Sequence, residues 1–115
     1  MSACLTTHIL DLASGKPANL VKIELYNSTG KLLKKVHTNK DGRLSSPLLT
    51  ENEMKKGEFE LLFYIGDYFR ETHLSLAQPP FLNKIPVRFN INDSTQHYHV
   101  PLLLSPLGYQ IYRGR

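Results

Sequence analysis

The sequence predicts an all-β sandwich with one short helix, and three observations point there. Apolar and polar residues alternate with a period of two over seven or eight short runs. Gly, Pro, Asn and Asp gather between those runs, where turns need them. Only the stretch GDYFRETHLSLAQPP has helical character, and Pro79-Pro80 prevents it from continuing.

Taken in order, residues 6–12 form the first expected strand, closed by the turn-rich ASGKPAN. Over residues 21–27, Val21, Ile23 and Leu25 alternate with Lys22, Glu24 and Tyr26, as on a half-exposed strand. Ser28-Thr29-Gly30 turns the chain into a strand over 31–38, and NKDG at 39–42 turns it again. Residues 44–46 are expected as a stub strand before Pro47. Residues 58–65, rich in Leu, Phe and Tyr, read as a longer one. Asp67 is expected to cap the helix. Strands over 84–91 and 97–104 follow, joined by the turn-forming NDST, and 108–113 is the last.

A chain of 115 residues suits one domain, 1–115, with one core. With 41% hydrophobic and 21% charged residues the composition is globular. The net charge of +4 is scattered, with short runs only at KLLKK and KK, so a nucleic-acid partner, which needs a clustered basic stripe, is not expected. Cys4 is the only cysteine, which excludes an intramolecular disulfide and a Cys-based metal site. The amino terminus lacks a basic start followed by an apolar run, and no stretch approaches the roughly 20 residues of a membrane span. A cytosolic protein without a membrane partner is therefore expected. No GxSxG elbow, P-loop or dinucleotide fingerprint is present.

The stretch TQHYHVPLLL raises the chemical question. On a strand, His97, His99, Pro101 and Leu103 share one face and Tyr98, Val100, Leu102 and Leu104 the other. One face is apolar throughout. The other begins with two imidazoles, which is costly if buried without partners. In LTTHILD, His8 shares its face with Thr6 and Leu10. Arg43 follows the NKDG turn, where a solvated side chain is the default. Two histidines at i, i+2 with His8 as a third ligand can hold a metal, or the same groups can do metal-free acid–base work. Absence of a companion carboxylate ranks metal second. His37 and His73 lie in charged surroundings and are expected to be exposed. Cys4 as a nucleophile would need a base beside it, and its nearness to the terminus and its four-residue distance from His8 make that a weak case.

Together, LTTHILD, TNKDGR, HYHVPLLLSP and the closing YRG resemble, in this order and over nearly the whole chain, the transthyretin-like family, and within it the 5-hydroxyisourate hydrolases. The resemblance implies a transthyretin-type β-sandwich of two four-stranded sheets with one short helix. It also implies a homotetramer whose active sites lie in a channel between dimers, no cofactor or metal, and 5-hydroxyisourate as substrate. Carried over by matching motifs, the catalytic residues are His8, Arg43 and His99. Tyr112, Arg113 and Gly114 match the first three residues of a closing Tyr-Arg-Gly-Ser that belongs to the substrate site. Arg115 stands where the hydrolases have serine, so no hydroxyl is expected there. The implied reaction is water attack at a ring carbonyl and opening of a C–N bond, giving 2-oxo-4-hydroxy-4-carboxy-5-ureidoimidazoline. The rival implication is a transthyretin-type carrier of an aromatic ligand such as thyroid hormone.

Overall fold

The computed structural model describes residues 3–73 and 77–114. Two four-stranded sheets face each other, one ordered β2-β1-β7-β8 and the other β4-β3-β5-β6. The strands are β1 (Leu5–Asp11), β2 (Lys16–Pro17), β3 (Lys22–Asn27), β4 (Leu32–His37), β5 (Gly57–Tyr64), β6 (Lys84–Ile91), β7 (Tyr98–Leu104) and β8 (Tyr109–Ile111), with helix α1 (Ile65–Thr72) between β5 and β6. All pairings are antiparallel except β1 with β7.

The core forms where the alternating apolar sides of both sheets meet. Leu5 and Ile9 from β1, Ile23 and Leu25 from β3, Leu61 and Phe63 from β5, and Leu102 and Leu104 from β7 are fully buried there. Each such side chain contributes about 1.5–3 kcal/mol by leaving water, so a one-residue slip of either sheet, which would turn this set outward, is strongly disfavoured. Among the described residues no helix is long and apolar enough to cross a membrane.

The structure corrects the sequence reading at four points. Residues 16–17 form an edge strand against Leu10 and Asp11, too short to show any periodicity, and Pro17 fits there because an edge needs no donor on its open side. The expected stub strand at 44–46 is absent. Pairing falls instead to the buried Leu48 and Leu49 just past Pro47, with Leu48 N donating to Leu5 O (2.8 Å) and Leu5 N to Leu49 O (3.0 Å). Asp67 does not cap α1. Strand β5 runs straight into the helix with Tyr64 as N-cap, and Asp67 sits in the first turn, paired with Arg70. The helix ends at Thr72; residues 74–76 of the expected helical stretch lie outside the described residues.

The fourth correction concerns His73, which is half-buried rather than exposed. Its Nε2 lies 2.8 Å from Oδ2 of the buried Asp11, and the Tyr68 hydroxyl donates to that oxygen at 2.7 Å. Ala13 N donates to Oδ1 at 2.9 Å. Burial pushes the Asp11 carboxyl up, but the bonds from His73, Tyr68 and Ser14 outweigh it and hold the group below the ordinary carboxylate value. A depressed carboxylate contributes stability above its unfolded pKa and loses it as pH falls through the folded value. This cluster ties the end of α1 to the end of β1. Asp11→Ala, which strands the Tyr68 hydroxyl and the Ala13 amide, is expected to cost about 2–4 kcal/mol of unfolding free energy at neutral pH. A urea midpoint equal to that of the parent would show that the cluster carries no net stability.

Candidate active site

The parallel pairing of β1 with β7 sets Thr6 opposite His99 and His8 opposite Pro101. Leu5, Thr7, Ile9 and Asp11 turn inward and are buried, which leaves Thr6, His8 and Leu10 half-buried on the outer face. On β7 the inward set is Tyr98, Val100, Leu102 and Leu104, with His99 outward. His97 immediately precedes the strand and is half-buried. The two histidine-bearing segments, 91 residues apart in sequence at His8 and His99, therefore share one sheet face.

Arg43 reaches the same face through the NKDGR turn. Asn39 Oδ1 accepts from the backbone of Asp41 (2.9 Å) and Arg43 (3.2 Å), while Asn39 N donates to Arg43 O (2.7 Å). Gly42 has φ +71, and a side chain there would strike the Ile9 carbonyl oxygen, so glycine lets the turn lie flat on β1. Ile9 N donates to Gly42 O at 2.9 Å, fixing the turn beside His8. The Arg43 side chain is exposed and has no salt-bridge partner among the described residues.

Both outward histidines are held below the ordinary imidazole value. Burial is the larger cause for each, followed by the Arg43 charge; His8 and His97 act in the same direction on His99. Asp41 opposes the effect at His8, through its backbone carbonyl, which favours the protonated ring as a hydrogen-bond acceptor, and through its charge. A lowered imidazole is neutral at pH 7 and so carries a lone pair able to take a proton.

The closing residues fall against this pair unequally. Gly114 N donates to His99 O at 2.7 Å, and a Cβ on Gly114 would come within 2.8 Å of the His99 ring. Arg113 lies 4.0 Å over the Tyr98 ring and donates to His97 O (3.1 Å) and Gln96 Oε1 (3.3 Å). Its guanidinium thus braces the start of β7. Tyr112 is 45% exposed, and Arg115 lies outside the described residues. Among the described residues no three His, Cys, Asp or Glu side chains are grouped to hold a metal ion.

One contact was not anticipated: the Thr6 hydroxyl lies between His97 and His99. Thr6 stands two residues before His8 on the same face, a signal visible in the sequence, but its partners lie across the sheet.

The larger concavities lie elsewhere. One of about 600 Å³ is lined by Lys16, His37, Arg70 and His73 among others, and that beside Thr6 and Arg43 is only about 150 Å³. Chemistry rather than size marks the β1/β7 face as the candidate, since two lowered imidazoles there lie within the field of the Arg43 guanidinium.

Two packed four-stranded sheets with one short helix make this a transthyretin-type sandwich, here bearing a candidate acid–base site on one sheet. Residues 5–114 match the model of the HIUase/Transthyretin family, and the chain belongs to that family. The chain is 51% identical over 116 aligned positions to 5-hydroxyisourate hydrolase 2 of Rhizobium meliloti, with 98% of this chain and 97% of the relative covered. It superposes on the crystal structure of (S)-allantoin synthase with a TM-score of 0.90 at 38% identity, covering 99% of this chain but only 45% of that one. With the 5-hydroxyisourate hydrolase of Klebsiella pneumoniae the TM-score is 0.81 at 28% identity, covering 98% and 94% of the two chains.

Proposed function

We propose that this protein hydrolyses 5-hydroxyisourate to 2-oxo-4-hydroxy-4-carboxy-5-ureidoimidazoline, a step in urate degradation, through His8, His99 and Arg43. The observation that carries the reading is the meeting of two neutral imidazoles and one exposed guanidinium on a single sheet face. Hydrolysis of a cyclic amide-like carbonyl needs a base to take a proton from water, a cation for the developing oxyanion, and an acid for the departing nitrogen. One imidazole receives the proton that water loses on attacking the carbonyl. That ring is then an imidazolium, and it returns the proton, directly or through the other imidazole, to nitrogen as the C–N bond breaks. The Arg43 fork is fixed, always charged and suited to a planar substrate rich in carbonyls.

The face is open in one chain, and the reading includes a homotetramer in which further copies close it into a channel. Tyr112, Arg113 and Gly114 belong to the proposed substrate site, Gly114 by seating the His99 ring and Arg113 by bracing His97. A transthyretin-type carrier of an aromatic ligand would need no titrating groups at these positions.

Ultraviolet absorbance of freshly generated 5-hydroxyisourate tests the reading directly, with thyroxine binding as its counterpart. Hydrolysis should be faster with the protein than in buffer alone. Because both histidines are lowered, the neutral base persists as pH falls from 8 and is lost only beneath the ordinary imidazole value. The acid limb of the rate should therefore reach its half-height below about pH 6.5. A half-height above pH 7 would contradict the assignment of base to either residue, and micromolar thyroxine binding without hydrolysis would favour the carrier.

A further inference from the structure

The Thr6 hydroxyl sits 2.8 Å from His99 Nδ1 and 3.3 Å from His97 Nε2, and His97 Nδ1 sits 3.3 Å from Cys4 Sγ. A hydroxyl has one proton to donate, and each neutral imidazole carries one N–H. The four groups form a single chain of hydrogen bonds that can run in two directions. In one, Cys4 donates to His97, His97 to Thr6 and Thr6 to His99, which puts the His99 proton on Nε2. In the other, His99 Nδ1–H donates to Thr6, Thr6 O–H to His97 Nε2 and His97 Nδ1–H to Cys4, which leaves His99 Nε2 bare.

Resting on the function proposed above, we infer that Thr6 is a positioning residue that fixes His99 as the Nδ1–H tautomer, so that Nε2 faces the reacting water as the base. Nδ1 is occupied by Thr6, and Nε2 has no hydrogen-bond partner among the described residues. The charged and titratable groups acting on this ring are Arg43, His8 and His97, and Arg113 is bonded to the His97 carbonyl. Of the two directions, only the second leaves Nε2 the lone pair that the base role in the proposed reaction requires. When Nε2 takes a proton from water, the ring becomes an imidazolium whose Nδ1–H is already held by an oxygen. That proton can leave again through Nε2 to the departing nitrogen. Alternatively, Nδ1–H passes to Thr6 as the Thr6 proton passes to His97, which restores a neutral His99 and places the charge on His97. No oxidant or further reactant is involved.

The test compares Thr6→Val, which keeps shape and removes the hydroxyl, with Thr6→Ser, which restores it. Nitrogen-15 chemical shifts of the imidazole ring report the His99 tautomer independently of turnover. Thr6→Val is expected to lower kcat tenfold or more with KM within about twofold, and to convert His99 from the Nδ1–H tautomer to a mixture. Thr6→Ser should return both readouts to near the parent. Unchanged kcat in Thr6→Val, a lowered kcat without a change of tautomer, or an Nε2–H tautomer in the parent would each overturn the inference. Circular dichroism and size exclusion of both variants separate a folding failure from the loss sought, and the His99 tautomer of the parent carries the test if Thr6→Val misfolds. His99→Ala, run in parallel, distinguishes the two levels. Full activity there removes His99 from the reaction and fails the underlying reading, whereas an inactive His99→Ala beside a fully active Thr6→Val fails only the role of Thr6.

Discussion

His99→Ala is expected to lower kcat for 5-hydroxyisourate by about 10²–10⁴-fold, the range over which a positioned acid or base contributes, while the thermal midpoint and assembly change little. The asymmetry follows from where the residue sits. His99 is half-buried on the outer face of β7 and outside the apolar core, so truncation opens no void between the sheets. Its ladder bonds and the bond from Gly114 use the backbone, which alanine retains. The substitution also releases the Thr6 hydroxyl, which His97 can still engage at the existing separation of 3.3 Å. Steady-state kinetics beside a melting curve checks both halves. Activity within threefold of the parent would remove His99 from the chemistry.

Arg43→Ala is expected to cost about 10²–10³-fold in kcat/KM, as loss of one oxyanion donor does, and to displace the pH profile as well. The guanidinium lowers both His8 and His99, so its removal raises both imidazoles toward the ordinary value. The acid limb should then move to higher pH, whereas loss of a residue that merely binds substrate would leave it in place. Arg43→Lys separates charge from shape. A lysine can restore the field on the histidines, and thus the position of the limb, without restoring the planar fork and thus the rate. If Arg43→Ala leaves the limb in place, the guanidinium does not govern the histidines.

Much of this was legible because one side of each sheet is buried. Burial imposes a period of two, and that period was readable at Ile23 and Leu25 in β3 and at Val100, Leu102 and Leu104 in β7. Where no period can develop, the sequence was silent. Lys16 and Pro17 are two residues long as a strand, and Leu48 and Leu49 pair through single bridging contacts. Asp67 misled because it is a good cap in a place where β5 passes into α1 without a loop. The histidine, arginine and closing Tyr-Arg-Gly candidates came from motifs taken together, and the structure sets His8, His99 and the Arg43 turn on one face. The Asp11 bond to His73 and the Thr6 bonds to the histidines were out of reach, because the first joins residues 62 positions apart across the end of α1, and the others join residues more than 90 positions apart through a parallel pairing that leaves no local mark.

That pairing has a bearing on how the molecule matures. Leu5 to Asp11 can zip to Tyr98 to Leu104 only after residue 104 has left the ribosome, and closing so long a loop is among the slower events in assembling a domain. Hydrolytic competence should consequently arrive late and all at once. During refolding, ordered β3 to β6 hairpins ought to be detectable before the first turnover, and a fragment truncated before residue 98 should acquire structure in its β4-β3-β5-β6 sheet yet never process a molecule of substrate.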